Sequence, residues 1–308
     1  MRLTRSILVT GLLGVVLAGC GGSTTLAPPT VAPAAGSASV FPAPPSGAVV
    51  FAREAGRDAL GLAVVPGKGK TGLEASIVGW QGSGVAHLTV RFQVTGVDGR
   101  SAIAAATACG PGCYQATTAV ARPARVAVVI GKRSPQQVVF ALPVAWPPPP
   151  ADALVARAAR VWRSLRSLVD HGSLSDGHYT GTTLWKIVAP DRIEYQTRQD
   201  GDGVIIGDRR WDKPSGPGTW QESSQVPVRQ PVPDWVKAVD ARLLGTVSIQ
   251  GKPAWKISFF DPATPGWFSI LVDKATLHTV DVRMIATGHF MHDLYGSFNA
   301  PIRIAPPR

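Results

Sequence analysis

A cysteine near the start of the chain has the surroundings of a lipid-modified residue. Cys20 directly follows the residues Leu-Ala-Gly at 17–19, which end a short apolar run that begins after Arg2 and Arg5. A basic segment, an apolar segment of about a dozen residues and a small-residue cleavage site make a secretory signal. Because a cysteine comes directly after the small residues, we predict a bacterial lipoprotein signal peptide over 1–19. Cys20 is then the first mature residue and carries acyl (palmitate) chains.

The predicted acyl chains would decide where the protein works. Two or more chains hold a protein firmly at a bilayer, so we expect a lipid anchor on the extracytoplasmic side of the cell membrane. A transmembrane helix over the same residues is the alternative, but the apolar run is short for a span.

Two further cysteines could bond to each other. Cys109 and Cys113 are separated by Gly-Pro-Gly, a sequence that can turn the chain back on itself. An exported compartment permits disulfides, so a Cys109–Cys113 disulfide is the favoured prediction. Metal binding is the alternative, although two thiolates without a nearby histidine fall short of the four ligands that zinc prefers.

The run His289-Phe290-Met291-His292 contains imidazole and thioether donors, which suit copper. On a strand, His289 and Met291 would point to one face and His292 to the other, so only two donors converge locally. We therefore expect an ordinary strand there, and no metal or cofactor.

The sequence contains no His-Glu-x-x-His and no Gly-x-Ser-x-Gly motif. We accordingly expect no catalytic residue and a protein that is not an enzyme.

Composition limits the partners. The chain has 308 residues and a net charge of +11. Outside the membrane, nucleic acid is not an expected partner. The expected electrostatic partners are anionic membrane surfaces or acidic wall polymers. The alternative is that the basic surface only keeps the protein soluble. Residues 20–47 are rich in Pro, Ala, Gly and Ser, which predicts a tether.

Residues 48–146 have the pattern of a small β domain. Apolar and polar residues alternate in 73–77, 88–94 and 114–120. Asp98-Gly99 is typical of a tight hairpin turn. Several short strands at this spacing predict an immunoglobulin-like β-sandwich. Four prolines follow, and we place a linker over 147–151.

Residues 152–308 begin with a helical pattern and continue as strands. The apolar residues Leu154, Ala158, Val161, Leu165 and Leu168 recur at helical spacing, which predicts a helix over 151–168. The run 267–272 is apolar on both strand faces, so both must contact apolar material. We expect a curved antiparallel half-barrel packed on an α-helix.

A set of segments within residues 152–305 forms a recognisable pattern: the opening helix, 189–195, 204–207, Trp211, 255–258, Phe268, 272–273, 289–291, Tyr295, 298–299 and Pro301. With this pattern, residues 152–305 resemble the LolA-like lipoprotein-carrier superfamily, which includes the mycobacterial LppX and LprG lipoproteins. The resemblance implies a half-barrel closed by helices around an apolar cavity that holds acyl chains.

A second pattern lies in residues 61–64, 88–94 and 109–114. Through these segments, residues 50–142 are similar to the YtkA-like extracytoplasmic domain of actinobacterial CopC/CopD copper-resistance fusions. This similarity implies a membrane copper transporter as a partner. The copper-binding histidines of CopC do not carry over, because His87 is the only histidine of this domain.

Aromatic residues of the second domain are the best candidates for a ligand-facing wall, since small-molecule sites are mostly apolar. Those that we select are Trp185, Trp255, Phe259, Trp267 and Phe268. We therefore expect a membrane-anchored extracytoplasmic lipoprotein that binds an apolar or amphiphilic, lipid-like ligand without catalysis. An accessory role in copper homeostasis is one alternative. A structural or sensory envelope module that binds protein partners is another.

Overall fold

The structure, a computed structural model, describes residues 41–131, 135–198, 200–287 and 289–308, and only the backbone of His289. The predicted signal peptide, Cys20 and most of the predicted tether lie outside these residues. The described chain is mainly β, as predicted, with a single helix. Among its residues, no helix combines the length and hydropathy needed to cross a bilayer.

The first part of the described chain forms a sandwich of two antiparallel sheets. Its strands are β1 (Val49–Ala55), β2 (Asp58–Gly67), β3 (Lys70–Val78), β4 (Val90–Gly96), β5 (Ser101–Ala105), β6 (Thr107–Gly110), β7 (Cys113–Thr118), β8 (Pro123–Ile130) and β9 (Gln136–Ala141). One sheet has the order β1-β2-β3-β7-β6 and the other β5-β4-β8-β9. In the first sheet, β2, β3, β7 and β6 correspond to strands A, B, E and D of an immunoglobulin-like sandwich. In the second sheet, β5, β4, β8 and β9 correspond to strands C′, C, F and G.

The alternating sequence pattern produces the sandwich core. In β4, Val90, Phe92 and Val94 are buried between the sheets, whereas Arg91 and Gln93 are exposed. The predicted turn at Asp98-Gly99 joins β4 to β5. Gly99 has a φ of 79° there, a conformation that glycine adopts without penalty.

The second part of the described chain is one helix and one large antiparallel sheet. The elements are α1 (Asp152–Arg163), β10 (Ser167–Ser175), β11 (Thr180–Val188), β12 (Arg192–Thr197), β13 (Gly201–Ile206), β14 (Arg209–Pro214), β15 (Gln221–Ser224), β16 (Val239–Ile249), β17 (Lys252–Asp261), β18 (Gly266–Asp273), β19 (Thr279–Ala286) and β20 (His289–Gly296). The order is β15-β14-β13-β12-β11-β10-β20-β19-β18-β17-β16. The sheet is open and curved.

The helix is shorter than the sequence pattern predicts. It ends at Arg163, and the backbone N–H and hydroxyl of Ser164 both donate to the Val161 carbonyl. Leu165 and Leu168 are buried but lie beyond the helix, because β10 begins at Ser167. The buried helix residues are Val155, Ala158, Ala159 and Trp162.

The large sheet is covered on both faces, which explains the doubly apolar strand β18. Phe268 packs on the face that carries α1, here called the helix face. Trp267 lies on the opposite face, here called the sandwich face, against β1 and β2 of the sandwich. The second apolar layer that residues 267–272 require is therefore the first domain itself.

Residues 41–47, the described end of the predicted tether, are packed on the sandwich face. Phe41 makes an edge-to-face contact with Trp267 at a centroid distance of 5.1 Å. The Trp267 indole Nε1 donates to the Pro42 carbonyl at 3.0 Å. Gly47 N–H donates to Asp240 Oδ2 at 2.9 Å. This end of the tether is thus ordered by its contacts with the sheet.

The predicted proline linker is also hydrogen-bonded to the large sheet. Leu243 N–H donates to the Pro149 carbonyl at 2.9 Å, and Ala151 N–H donates to the Ala241 carbonyl at 2.8 Å. The chain between the two domains therefore runs along β16 before α1 begins.

Candidate functional site

A cavity of about 450 Å³ opens on the helix face of the large sheet. Its walls come from α1, from β10, β11, β12 and β20, and from the segment 225–238 between β15 and β16. We call it the helix-face cavity. Its apolar lining includes Trp162, Trp185, Ile187, Ile193, Val232 and Met291, and its titratable lining is Asp170, Asp234, Asp293 and Tyr295.

Strand alternation and register bring the acidic residues of the sheet together. Asp170 and Gly172 lie on one face of β10, and Asp293 and Tyr295 on the same face of β20. In the antiparallel register, Asp170 is opposite Tyr295 and Gly172 is opposite Asp293. Two carboxyl groups thus enter the cavity from adjacent strands.

Glycine at position 172 leaves room for three converging polar atoms. A Cβ on this residue would lie 2.8 Å from Asp293 Oδ1, 3.5 Å from Trp185 Nε1 and 3.6 Å from Asp170 Oδ2. The first distance is shorter than real side-chain carbons tolerate, so the arrangement depends on the missing methyl group. The convergence forms a polar cradle over Gly172 in an otherwise apolar wall.

Tyr295 connects two of the carboxyl groups. Its hydroxyl lies 2.5 Å from Asp234 Oδ2 and 3.3 Å from Asp293 Oδ2. Since one hydroxyl has one proton, the shorter contact to Asp234 is the stronger hydrogen bond. Asp234 belongs to the 225–238 segment, so this bond fastens that segment to the sheet.

The carboxyl groups hold protons more firmly than usual. Burial and the neighbouring charges of Asp293 and Asp234 raise the pKa of Asp170 to about 8. Burial and the charge of Asp234 raise the pKa of Asp293 to about 7. Burial also raises the pKa of Asp234. None of the described residues that line the cavity is a Lys, Arg or His, so the described lining supplies no cation that compensates the cluster.

Two buried polar atoms of the cavity wall have no hydrogen-bond partner among the described residues. They are Oδ1 of Asp170 and Nε1 of Trp162. Asp170 is only 7% exposed and Trp162 only 2%. An unpaired buried polar group is unfavourable by about 1–3 kcal/mol, so each of these two atoms destabilises the ligand-free structure.

Of the five residues selected for the ligand wall, Trp185 lies on this cavity. Phe259 and Phe268 stack on each other at 5.1 Å in the core beneath α1. Trp255 is half-buried, with the Lys274 ammonium 5.6 Å from its ring centre. These three are occupied by internal packing and do not line the helix-face cavity.

Trp267, the fifth selected residue, is only 1% exposed and packs between the two domains. With Phe268 it borders a cleft of about 100 Å³. That volume is below the 300–1,000 Å³ typical of small-molecule sites. The size of the cleft therefore favours a packing role for Trp267.

The predicted disulfide between Cys109 and Cys113 is present. It joins the end of β6 to the start of β7. Glu74 lies close enough for its carboxylate and the two sulfurs to be within 4.8 Å of one another. The sulfurs are bonded to each other, so they offer no thiolate to a metal ion in this state.

The histidine and methionine cluster does not converge among the described side chains. Met291 lines the helix-face cavity. His292 Nε2 lies 3.0 Å from Asp281 Oδ2, and strand alternation puts His292 on the opposite face. The His289 side chain lies outside the described atoms. Nothing here supports a copper site, and the links to copper homeostasis and a copper transporter remain predictions.

Sequence reasoning overlooked Asp170, Asp234 and Asp293. A signal was available for two of them. Asp170 follows Leu168 at the strand period of two, and Asp293 stands between Met291 and Tyr295 at the same period. A carboxyl group on the buried face of an apolar strand is unusual, and that pattern marks the site.

The similarity of this chain to known proteins is distant. No family model matches the chain, and no curated protein matches it. The Mycobacterium tuberculosis lipoprotein LppX is 14% identical, with 50% of this chain and 98% of LppX covered and a TM-score of 0.39. LprF from Mycobacterium bovis is 9% identical, with 52% and 98% covered and a TM-score of 0.39.

A third solved structure is a putative outer membrane lipoprotein-sorting protein domain from Vibrio parahaemolyticus. It is 10% identical, with 49% of this chain and 93% of that chain covered and a TM-score of 0.25. About half of this chain is thus similar to structures of the lipoprotein kind that the sequence resemblance names. At these TM-scores the similarity carries no argument about function. The comparisons give no support to the YtkA-like resemblance.

Proposed function

We propose that the protein binds an apolar or amphiphilic, lipid-like ligand in the helix-face cavity, without catalysis. Lipidated Cys20 would hold it at the extracytoplasmic side of the cell membrane. The observation that carries the ligand proposal is the cavity of about 450 Å³ itself. Its volume lies within the usual range of small-molecule sites.

The lining of the cavity supports an apolar ligand body. Trp185, Ile187 and Ile193 form a continuous wall, because Trp185 and Ile187 alternate on β11 and Ile193 is opposite Ile187 on β12. Val232 faces them from the 225–238 segment and Met291 from β20. Each buried methylene group of a ligand would contribute about 0.8 kcal/mol against such a wall.

The location outside the cytoplasm is supported by two independent features. The residues 1–20 have the order of a lipoprotein signal. The Cys109–Cys113 disulfide is typical of oxidising compartments. The tether and the anchor together would keep the cavity close to a membrane that supplies lipid-like molecules.

A neutral fluorescent probe tests the ligand proposal. The purified protein is titrated with N-phenyl-1-naphthylamine, whose emission increases in apolar surroundings. The test variant is Ile193→Trp, which fills the cavity. The matched control is Ile103→Trp on β5, where the side chain is exposed. We expect one binding site and an affinity at least tenfold lower in Ile193→Trp than in the wild type and Ile103→Trp.

Circular dichroism must show that both variants are folded. If Ile193→Trp does not fold, Trp185→Ala replaces it, since removal of that wall should also weaken the probe. Equal probe affinity in the wild type and in a folded cavity variant would contradict ligand binding at this site.

A further inference from the structure

The acidic cluster of the helix-face cavity has no role in the proposed binding of an apolar body. Asp170, Asp234 and Asp293 converge on a wall whose described residues include no basic side chain. The chain as a whole has a net charge of +11. Three carboxyl groups without a counter-charge are therefore concentrated in a cavity of an otherwise basic protein.

The strongest indication of a missing partner is Asp170. It is more than nine-tenths buried, and its Oδ1 has no hydrogen-bond partner among the described residues. Its Oδ2 faces the cradle over Gly172, together with Asp293 Oδ1 and Trp185 Nε1. Buried carboxyl groups are normally hydrogen-bonded or paired with a cation. Asp170 Oδ1 thus lacks a donor among the described residues.

An inorganic metal ion does not suit this arrangement. A metal site requires several ligand atoms close together. Among the described residues, the group of three whose ligand atoms lie within 4.8 Å of one another is that of Glu74 and the two bonded cysteines. The carboxylate oxygens of Asp170, Asp234 and Asp293 do not all lie within that distance of one another, and the cavity has room for an organic group.

We propose that the ligand of this cavity carries a protonated amine, which is held by Asp170 and Asp293 in the cradle over Gly172. The proposal rests on the proposed function, since the apolar remainder of the ligand would lie against Trp185, Ile193 and Val232. The ligand class is therefore a cationic amphiphile.

Elementary chemistry favours an ammonium group at this position. It has several N–H donors and can bond two carboxylates that lie on adjacent strands. Hydrogen bonds between charged groups are about twice as strong as neutral ones. The raised pKa values of Asp170 and Asp293 agree with carboxyl groups that lack a cation when the cavity is empty.

Three eight-carbon probes test the head group separately from the chain. Octylammonium chloride, 1-octanol and sodium octanoate are titrated into the full protein by calorimetry at pH 8.5. We expect octylammonium to bind at least tenfold more tightly than octanol, and octanoate to bind more weakly than octanol. Asp170→Asn and Asp293→Asn should each reduce the preference for octylammonium over octanol to below threefold.

The matched control is Asp208→Asn, at an exposed residue in the β13–β14 turn, which should keep the wild-type preference. Equal binding of octanol and octylammonium to the wild type would overturn the cationic head group and leave the proposed function intact. Binding of none of the three probes would overturn both. Displacement of octylammonium by an equal concentration of Ca²⁺ or Mg²⁺ would instead assign the carboxyl groups to a metal ion.

Discussion

The hydroxyl of Tyr295 and the carboxylate of Asp234 are joined by a hydrogen bond of 2.5 Å. Tyr295 lies on β20, and Asp234 lies 61 positions earlier in the 225–238 segment. The following residues extend this attachment: the Trp235 ring packs 5.6 Å from Phe259, and Val236 N–H donates to Asp261 Oδ2 at 2.6 Å. The segment that forms one wall of the cavity is therefore fixed at residues 234–236.

Replacement of Tyr295 by Phe should weaken this attachment. The variant leaves Asp234 without its donor at a half-buried position, and the loss of such a bond is worth about 1–2 kcal/mol. We expect the free energy of unfolding in urea to fall by that amount. Faster amide hydrogen exchange in residues 230–236 should accompany it. Tyr179→Phe, at an exposed tyrosine, is the control and should match the wild type in both measurements.

The free energy of unfolding should depend on pH through the carboxyl groups of the acidic cluster. The folded-state pKa of Asp170 is about 8, against an ordinary value of 3.8. Between these values folded Asp170 keeps a proton that the unfolded chain releases, so its contribution to stability falls as the pH rises. Asp234, Asp293 and Tyr295 surround it, and Asp281 acts on Asp293 from β19.

Asp170→Asn removes this titration while it keeps the shape of the protonated carboxyl group. At pH 4.5 the variant and the wild type should have similar stability. At pH 8.5 the variant should be more stable, on the order of 2 kcal/mol, because the wild type then carries an uncompensated buried charge. Urea unfolding at both values measures this, with Asp208→Asn as control. A variant that is less stable than the wild type at pH 8.5 would rule out the raised pKa.

The contact between the sandwich and the large sheet depends on a glycine. A Cβ on Gly61 of β2 would lie 2.6 Å from the Trp267 ring and 2.9 Å from the Phe41 ring. Both rings are fully buried and cannot move aside. We expect Gly61→Ala to destabilise the protein by about 1–3 kcal/mol through overpacking. Gly296→Ala, where no atom is within 4 Å of the added carbon, is the matched control. Equal thermal unfolding temperatures for the two variants would contradict this contact.

Local patterns predicted local structure well, because they depend on neighbours in the chain. The alternation around Phe92 and the Asp98-Gly99 turn needed nothing from distant residues. Trp267 was different. The apolar run 267–272 required an apolar partner on each face but did not identify it, and the partner of Trp267 is the sandwich together with Phe41. The helix ended early for a similar reason, since Leu168 pairs with Ile187 in the sheet. Tertiary pairing overrides a helical pattern at such positions.

The cavity was harder to predict than the fold. Trp185, one of the predicted wall residues, lines the cavity. Asp170, Asp234 and Asp293 come from β10, the 225–238 segment and β20. Their convergence depends on the order of strands in the sheet, which places β10 beside β20. No sequence pattern within one strand contains that information.

The acyl chains on Cys20 can be tested independently of the cavity. Cells that produce the protein are grown with an alkyne analogue of palmitate, and the purified protein is examined for the label. We expect label on the wild type and a mature N-terminal peptide that begins at Cys20 and has acyl mass added. Cys20→Ala should lose both, because the sulfur that would carry the lipid is gone. The double variant Cys109→Ala/Cys113→Ala is the cysteine control and should keep full labelling, since its sulfurs are used in the disulfide. Label that survives in Cys20→Ala would show that the lipid is attached elsewhere, and an unlabelled wild type would remove the anchor from the proposal while the ligand cavity stands.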